Sequence, residues 1–200
     1  HLAGSEAAFA ILMNAKAKTL GMSGIMFYNA SGLPHPGQIT SARDMAILAR
    51  ALMTDYPQYY YFFSTRTFQY RGGTLRAGSN FTGTVEGVKG LKTGFTCYAG
   101  YNLVATGEKN GRRLIGVILG ERNAGRRNAL MSKILKQAIS PKRIENKALT
   151  IHDLAKIPQN PKIRTPSGDT IFARSASQSC LYNRPEKRKC HCSLPTAAQP

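Results

Sequence analysis

The sequence predicts an α+β fold in which helices cover an antiparallel β-sheet, and three observations support this class. Two segments near the beginning of the chain have apolar residues at helical spacing. Two β-rich runs, Tyr101–Thr106 and Arg113–Leu119, are joined through Lys109-Asn110-Gly111, a turn sequence that predicts a hairpin. The segment Arg122–Gln137 then returns to helical spacing. Helices, antiparallel strands and a final covering helix form the layers of an α+β domain.

The first helix is predicted over Ser5–Leu20, and Gly21 ends it. The second begins at Ser41, whose hydroxyl can cap it, and Asp44 stands three residues further on as in a capping box. We interpret Asp44 and its neighbour Arg43 as cap and surface groups rather than as an acid–base pair. The residues that define the two helical stripes are Phe9, Leu12, Met13, Lys16 (through its aliphatic stem) and Leu20 in the first helix, and Met45, Leu48, Ala49 and Leu52 in the second.

The segment after the second helix predicts a short aromatic helix and a hairpin. Asp55-Tyr56-Pro57 ends the second helix, and the aromatic run Tyr59–Phe63 that follows is interpreted as core rather than as a stacking platform. Thr67–Arg71 and Thr74–Leu75 read as two strands joined by Gly72-Gly73, since glycines permit the positive φ angles of a two-residue turn. The closing helix has Leu130, Met131, Ile134 and Leu135 on one predicted stripe.

The charge of the chain is strongly positive, with 28 Lys and Arg against 10 Asp and Glu and a formal net charge of +18. Such a surplus attracts polyanions such as nucleic acid, anionic lipid or an acidic wall polymer. However, the surplus is spread along the chain, and the sequence lacks the interleaved basic and aromatic residues typical of a nucleic-acid groove. We therefore expect a solvated basic surface and no nucleic-acid partner.

The composition changes near residue 139, which divides the chain into a folded part, 1–138, and a tail, 139–200. The tail is basic, contains scattered prolines and few clustered apolar residues, and is expected to be poorly ordered. Three of the four cysteines lie in it; Cys190-His191-Cys192 with Cys180 offers four ligand atoms, but Cys-x-Cys is not the usual zinc spacing. We therefore expect unpaired thiols, no metal and no cofactor.

The chain begins at His1, and its sequence contains neither a signal peptide nor an apolar run of the roughly 20 residues that span a bilayer. We interpret it as the later part of a longer protein whose export signal lies upstream.

The motif that carries most chemical information is Lys92-Thr93-Gly94. An acyl-transferring serine enzyme needs a cation near its nucleophile, a donor for the substrate carboxylate and N–H groups aimed at the oxyanion. Lysine supplies the charge, threonine a hydroxyl, and glycine leaves room for substrate against the strand. In penicillin-recognising enzymes this triplet accompanies a Ser-x-x-Lys, which carries the nucleophile, and a third serine motif. No Ser-x-x-Lys or Ser-x-Asn occurs in these 200 residues, and alone the triplet is a weak signal.

Three longer stretches, taken with the triplet, resemble the D-alanyl-D-alanine carboxypeptidases, the low-molecular-weight penicillin-binding proteins. They occur in order and at plausible spacing, and Arg113–Gly120 continues the similarity, which covers roughly residues 3 to 137. The resemblance implies a fold of the penicillin-binding protein and serine β-lactamase type that is incomplete at its N-terminal side. The three stretches are Met13–Met22 with Asn29–Leu33, Ser41–Leu52, and Gly87–Val104.

The resemblance also implies roles for particular residues. Lys92 would act in catalysis, and the backbone N–H of Phe95 would form half of the oxyanion hole. Thr93 and Gly94 would bind substrate. Arg76 is the candidate for holding the substrate carboxylate, although the Asn-Arg-Asn-like stretch of many relatives is altered here. The nucleophile and the Ser-x-Asn would lie upstream of His1.

Three functions follow, from different classes. The first is part of a serine-type carboxypeptidase that removes the terminal D-Ala from peptidoglycan stem peptides through an acyl-enzyme. The complete protein would be exported to the periplasm or cell envelope and inhibited by β-lactams, whereas this stretch alone is predicted to be inactive. The second is a non-catalytic, degenerate binder of wall peptide, favoured if no Ser-x-x-Lys precedes His1. The third, a nucleic-acid binder, rests on charge alone and would require steeply salt-dependent DNA affinity.

Overall fold

The computed structural model describes residues 2–77, 81, 84–109 and 112–139. The predicted tail beyond residue 139, with its three cysteines, lies outside the described residues. The elements in chain order are helix α1 (Glu6–Thr19), helix α2 (Ala42–Asp55), a 3₁₀ helix (Pro57–Ser64), strands β1 (Thr67–Tyr70), β2 (Gly73–Arg76), β3 (Val88–Thr96), β4 (Gly100–Lys109) and β5 (Arg112–Glu121), and helix α3 (Ala124–Ile139).

The main sheet has the strand order β3-β4-β5, and both pairings are antiparallel. The hairpin predicted from Tyr101 to Leu119 is therefore confirmed, and it pairs beside the strand that carries Lys92. Successive residues of β4 point to opposite faces, so Leu103 is buried on one side of the sheet and Val104 on the other. Both faces of the sheet are covered, which places β4 in the centre of the molecule.

Helix α3 covers one face of the sheet. Met131 and Leu135 are fully buried against Leu103, whereas Leu130 and Ile134 of the predicted stripe are more than a third exposed. The prediction was thus wrong for half of that stripe. The buried residues of α3 are instead Arg127, Met131 and Leu135, which are spaced four apart. Residues at this spacing lie one above the other on the same helix face.

Helix α2 covers the other face and joins it to helix α1. Ala49 packs with Leu91 and Val104 of the sheet, whereas Ile47, on another side of the helix, packs with Ala17 of α1. The Ser41 hydroxyl accepts a hydrogen bond from the Asp44 N–H at 3.1 Å, which confirms the predicted cap.

Asp44, which we predicted to be a surface group, is completely buried. Its carboxylate accepts hydrogen bonds from the backbone N–H of Gly24 at 2.7 Å and from the Arg43 guanidinium at 3.3 Å. A buried carboxylate needs such partners, and here they attach the first turn of α2 to the loop after α1. The sequence could not reveal this, since the partner backbone is 20 residues away.

The inward face of helix α1 coincides only in part with the predicted one, since Phe9, Met13 and Leu20 of the predicted stripe are partly buried. Ala10 and Ala17 are buried, whereas Leu12 and Lys16 of the predicted stripe are exposed. Asn14 fixes the orientation through a reciprocal pair of 2.8 Å hydrogen bonds with the backbone of Phe27. A polar contact to the following loop therefore decides which face of this helix is covered.

The aromatic run Tyr59–Phe63 divides between core and surface. Tyr60 and Phe63 pack against the α2 side of the sheet, but Tyr59, Tyr61 and Phe62 are more than half exposed. The prediction that the whole run is core was therefore wrong. A 3₁₀ helix has about three residues per turn, so a five-residue aromatic run cannot direct every ring to one side.

Strands β1 and β2 form a separate two-stranded sheet, as the sequence predicted, but its turn is shifted by one residue. Tyr70 pairs with Gly73, so the turn residues are Arg71 at φ 47° and Gly72 at φ 77° rather than Gly72-Gly73. Positive φ at both central residues is the requirement of a type I′ hairpin turn. The shift places Phe68 directly opposite Leu75.

Candidate active-site strand

The candidate site lies on strand β3, an edge strand of the main sheet. Within the described part of the chain, β3 pairs only with β4, so its outer edge has no neighbouring strand. Such an edge offers unpaired backbone N–H and C=O groups with which an extended peptide can align. Lys92, Thr93, Gly94 and Phe95 all lie on this strand, as predicted from the motif.

A β-bulge at Leu91 sets the direction of the motif. Gly90 pairs with Ala105 and Lys92 pairs with Val104, so Leu91 is the extra residue. Leu91 is buried with Ala49 and Val104, and the register places Lys92 on this same face of the sheet, towards α2. Without the extra residue, each side chain of the motif would point to the opposite face of the sheet.

Lys92 is exposed, and its ammonium group donates a hydrogen bond to the backbone carbonyl of Thr93 at 2.5 Å. No carboxylate of the described residues forms an ion pair with it. Thr93, the next residue, is half-buried and pairs with Leu103. The motif therefore combines an unneutralised cation and a hydroxyl at the open edge of a sheet.

The fold of the protein does not require glycine at position 94. A Cβ built on this residue would meet no atom within 4 Å, and its φ angle is not in the left-handed region. Neither packing nor backbone conformation therefore requires glycine here. The space in front of Gly94 is open, which suits a molecule lying against the strand.

The two remaining predicted residues are placed differently. Phe95 is nearly half exposed, and its ring lies 4.2 Å from that of Tyr101, directly across the strand pair. Arg76 ends β2 in the separate hairpin, where it pairs with Thr67 and is exposed. Arg76 is thus on a different sheet from the motif.

Two residues that sequence reasoning missed support the motif from behind. The Asn102 amide donates hydrogen bonds to the carbonyls of Gly94 at 3.4 Å and Gly100 at 3.0 Å, and its oxygen accepts from the Gly120 N–H at 2.9 Å. Asn102 thereby links all three strands. Because asparagine is depleted inside strands, its position within an otherwise β-rich run was the available signal.

Arg127 of α3 completes this support. Its guanidinium is buried and donates to the backbone carbonyl of Asn102 at 3.4 Å and to the Asn128 amide oxygen. Burial lowers the pKa of Arg127, while Tyr101 acts in the opposite direction. The contact connects the covering helix to the strand that stands directly behind Gly94.

A separate cavity of about 120 Å³ lies between the end of α2, the 3₁₀ helix and the opposite end of β3. Its lining includes Tyr60, Lys89, Thr106 and Arg113 but no residue of the motif. The Tyr60 and Thr106 hydroxyls are hydrogen-bonded, and burial raises the pKa of Tyr60. We interpret this polar contact as structural, since it closes the α2 side of the sheet.

The described residues include neither a cluster of metal-binding side chains nor a membrane-spanning helix. Among them, no three His, Cys, Asp or Glu side chains cluster in a way that could hold a metal ion. None of the described helices is long and apolar enough to cross a membrane.

Comparison with known proteins agrees with this arrangement. A family model described as D-alanyl-D-alanine carboxypeptidase matches residues 1–123. The chain is 40% identical over 126 residues to the carboxypeptidase DacC of Escherichia coli strain K12, covering 60% of this chain and 30% of that protein. It is 37% identical over 144 residues to DacF of Bacillus subtilis strain 168, covering 70% and 37%. The chain thus spans about a third of the length of these curated relatives.

Solved structures show the same similarity in three dimensions. Penicillin-binding protein D2 of Listeria monocytogenes, in its cefotaxime-bound form, superposes with a TM-score of 0.63 at 33% identity, over 67% of this chain and 56% of that one. Penicillin-binding protein 5 of Haemophilus influenzae superposes with a TM-score of 0.62 at 33% identity, over 68% and 40%. The predicted α+β fold of the penicillin-binding type is confirmed, and the chain belongs to the D-alanyl-D-alanine carboxypeptidase family of bacterial cell-wall enzymes.

Proposed function

We propose that this chain supplies the substrate-aligning edge strand of a serine-type carboxypeptidase that removes the terminal D-Ala from peptidoglycan stem peptides. The observation that carries the proposal is β3 itself, an open edge that combines Lys92, Thr93 and an unobstructed Gly94. An extended peptide ending in D-Ala-D-Ala would lie along this edge. The names of the curated relatives support the same substrate.

The binding roles follow from the chemistry of each group. The Thr93 hydroxyl donates a hydrogen bond to the C-terminal carboxylate of the peptide, and the Lys92 ammonium stabilises negative charge near it. Gly94 allows the peptide backbone to approach the strand closely. The Phe95 N–H is one of two donors to the oxyanion, and Arg76 assists the carboxylate if the hairpin end reaches it.

The covalent step requires a serine that lies outside these 200 residues, since the sequence contains no Ser-x-x-Lys. The serine oxygen would attack the carbonyl of the penultimate D-Ala, the peptide bond would break, and the terminal D-Ala would leave with the serine proton on its amine. Water would then hydrolyse the ester, which regenerates serine and releases the shortened peptide. Lys92 and the oxyanion donors stabilise the charge that develops in both steps.

The test uses the complete protein from which this chain comes, which we expect to be exported to the cell envelope. A fluorescent penicillin should label it at one serine, and a D-Ala-D-Ala peptide should compete with labelling. An intact, folded protein that is not labelled and releases no D-Ala would contradict the proposal.

A second candidate is a wall-peptide binder without catalytic activity, favoured by the absence of a nucleophile motif from the sequence. Here the chain would bind a peptide ending in D-Ala-D-Ala more tightly than one ending in L-Ala-L-Ala, and would release no D-Ala. An in-frame Ser-x-x-Lys upstream of His1 in the coding sequence would favour the enzyme instead.

A further inference from the structure

The hairpin formed by β1 and β2 is exposed at every one of its strand positions. Its two faces nevertheless differ sharply in character. Phe68, Tyr70 and Leu75 share one face, with exposed fractions of 60%, 51% and 55%. Thr67, Gln69, Thr74 and Arg76 occupy the opposite face. The hairpin therefore has an exposed apolar face that the described part of the protein does not cover.

More exposed aromatic surface precedes the hairpin in the chain. The 3₁₀ helix exposes Tyr59, Tyr61 and Phe62, and the Tyr61 and Phe62 rings lie 4.1 Å apart. Single exposed apolar residues are normal on a protein surface, but six large ones within 17 residues are not. Such a concentration of exposed apolar side chains in one segment is typical of a binding region.

The charge of this region indicates what it binds. From Tyr56 to Val85 the sequence contains three arginines, Arg66, Arg71 and Arg76, and no acidic residue. The Arg71 guanidinium lies 5.2 Å from the centre of the Tyr70 ring, so cation and aromatic are presented together at the hairpin turn. This combination of an apolar face and a cation at the turn favours a partner that is both apolar and negatively charged.

We propose that this hairpin docks onto the surface of an anionic lipid bilayer. Phe68, Tyr70 and Leu75 enter the boundary between headgroups and acyl chains. The Tyr70 ring, with its polar hydroxyl, is of the kind that is enriched at this depth. Arg71 at the turn meets the lipid phosphates, because a cation near an anionic surface is attracted to it. This inference rests on the hairpin alone and is independent of the proposed enzyme activity.

The backbone limits how deeply the hairpin can insert. In a two-stranded hairpin, the backbone N–H and C=O groups between the strands are hydrogen-bonded to each other. The N–H and C=O groups on the two outer edges have no partner within the pair. These groups need water or headgroup partners, so the hairpin stays at interfacial depth and does not enter the hydrocarbon core.

The chain contains no tryptophan, so one introduced indole reports on one position. We compare Phe68→Trp with Gln69→Trp, its neighbour on the opposite face, each in the full 200-residue chain. With vesicles of phosphatidylglycerol and phosphatidylcholine, the emission of Phe68→Trp should shift to the blue and be quenched by brominated acyl chains. The emission of Gln69→Trp should change less. Vesicle binding without a shift in Phe68→Trp would assign the binding to other basic segments and overturn the proposal.

A second comparison measures affinity. Replacing the cross-strand pair by Phe68→Ser with Leu75→Ser should weaken sedimentation with these vesicles at least tenfold. The matched pair Gln69→Ser with Thr74→Ser should leave it nearly unchanged, and Arg71→Gln should weaken it about fivefold. Equal effects of the two serine pairs would overturn the proposal. So would retention on an acidic polypeptide with no binding to vesicles, which would indicate a protein partner.

Discussion

At the scale of single residues, Gly87, directly before β3, and Gly94, within β3, differ in whether the fold requires glycine. Gly87 has φ 74°, and a Cβ there would collide with the backbone carbonyl of Glu108, so the fold itself requires glycine. Gly94 has open space and an ordinary backbone conformation. The first glycine lets β3 begin beside β4. The fold does not require the second, which agrees with the proposal that substrate lies against the strand there.

We expect this difference to separate stability from activity. Gly87→Ala should lower the free energy of unfolding by about 2 kcal/mol or more, because it combines left-handed strain with a backbone collision. Gly94→Ala should change it by less than about 0.5 kcal/mol, yet lower kcat/KM of the complete protein for a D-Ala-D-Ala peptide. Urea unfolding and D-Ala release measure the two quantities. Equal stability of the two variants would contradict the interpretation of Gly87.

Lys92 and Thr93 should matter unequally in the complete protein. Lys92→Ala removes a positive charge from the proposed site of the developing oxyanion, and the loss of one such contact typically costs about 3 kcal/mol, or roughly a hundredfold in kcat/KM. Thr93→Val keeps the side-chain shape but removes the hydroxyl, so turnover should weaken while the thermal midpoint stays nearly constant.

Lys89 provides a matched control for this prediction. It is an exposed lysine on the same strand, three residues before Lys92, and outside the motif. Lys89→Ala should therefore leave kcat/KM within about twofold of the original value, since it removes the same charge from a position that does not face the substrate. Near-normal turnover of a folded Lys92→Ala variant would mean that the motif occurs here by chance.

At the scale of elements, β3 is positioned by contacts that come from three directions. Leu91 anchors it to α2 at the bulge, and Asn102 ties the Gly94 carbonyl to β4. At the far end, the Tyr60 hydroxyl of the 3₁₀ helix bonds to Thr106, which donates in turn to the Lys89 carbonyl at 3.2 Å. The edge strand is thus held on its inner side by these contacts, and no strand of the described ranges pairs with its outer side.

The contact between Tyr60 and Thr106 should make stability depend on alkaline pH. Burial raises the pKa of Tyr60 in the folded protein above its value of about 10 in the unfolded chain. The protonated Tyr60 hydroxyl therefore contributes fully to the free energy of unfolding below pH 10. This contribution is lost as the pH rises through the folded-state pKa. The thermal midpoint should fall more steeply above pH 10 in the original protein than in Tyr60→Phe. Tyr59→Phe, at an exposed position, should keep the original steepness; identical curves for all three proteins would refute this.

At the scale of the whole molecule, four layers are stacked in the order α3, the main sheet, α2 with the 3₁₀ helix, and α1. The motif lies on the edge of the second layer, on the face towards the third. In the proposed mechanism, every group that the motif contributes binds substrate or stabilises charge. None of them replaces the nucleophile in covalent catalysis.

The 200-residue chain by itself should therefore be inert towards D-Ala-D-Ala peptides and should form no covalent adduct with a penicillin. Mass spectrometry of the chain after incubation with penicillin, together with an assay for released D-Ala, measures both. A stable adduct on any serine of this chain would show that the chemistry has been misassigned.

Much of the architecture could be predicted from local signals. The cap at Ser41, the hairpin from Tyr101 and the closing helix follow from residues that are neighbours in sequence, and all three are present. The inward faces of α1 and α3 could not be predicted in full, because distant partners select them. Asn14 turns α1 through the Phe27 backbone, and Arg127 turns α3 towards Asn102.

The sequence by itself determined the family, the α+β class and the identity of the motif, because short-range periodicity and the Lys-Thr-Gly triplet are local properties of the chain. Tertiary structure alone decided that Leu91 bulges and thereby sets the face of Lys92, that Asp44 is buried, and that three of the five residues in the aromatic run are exposed. The physical reason is the same in each case. Register, burial and hydrogen-bond partners depend on residues that only folding brings together.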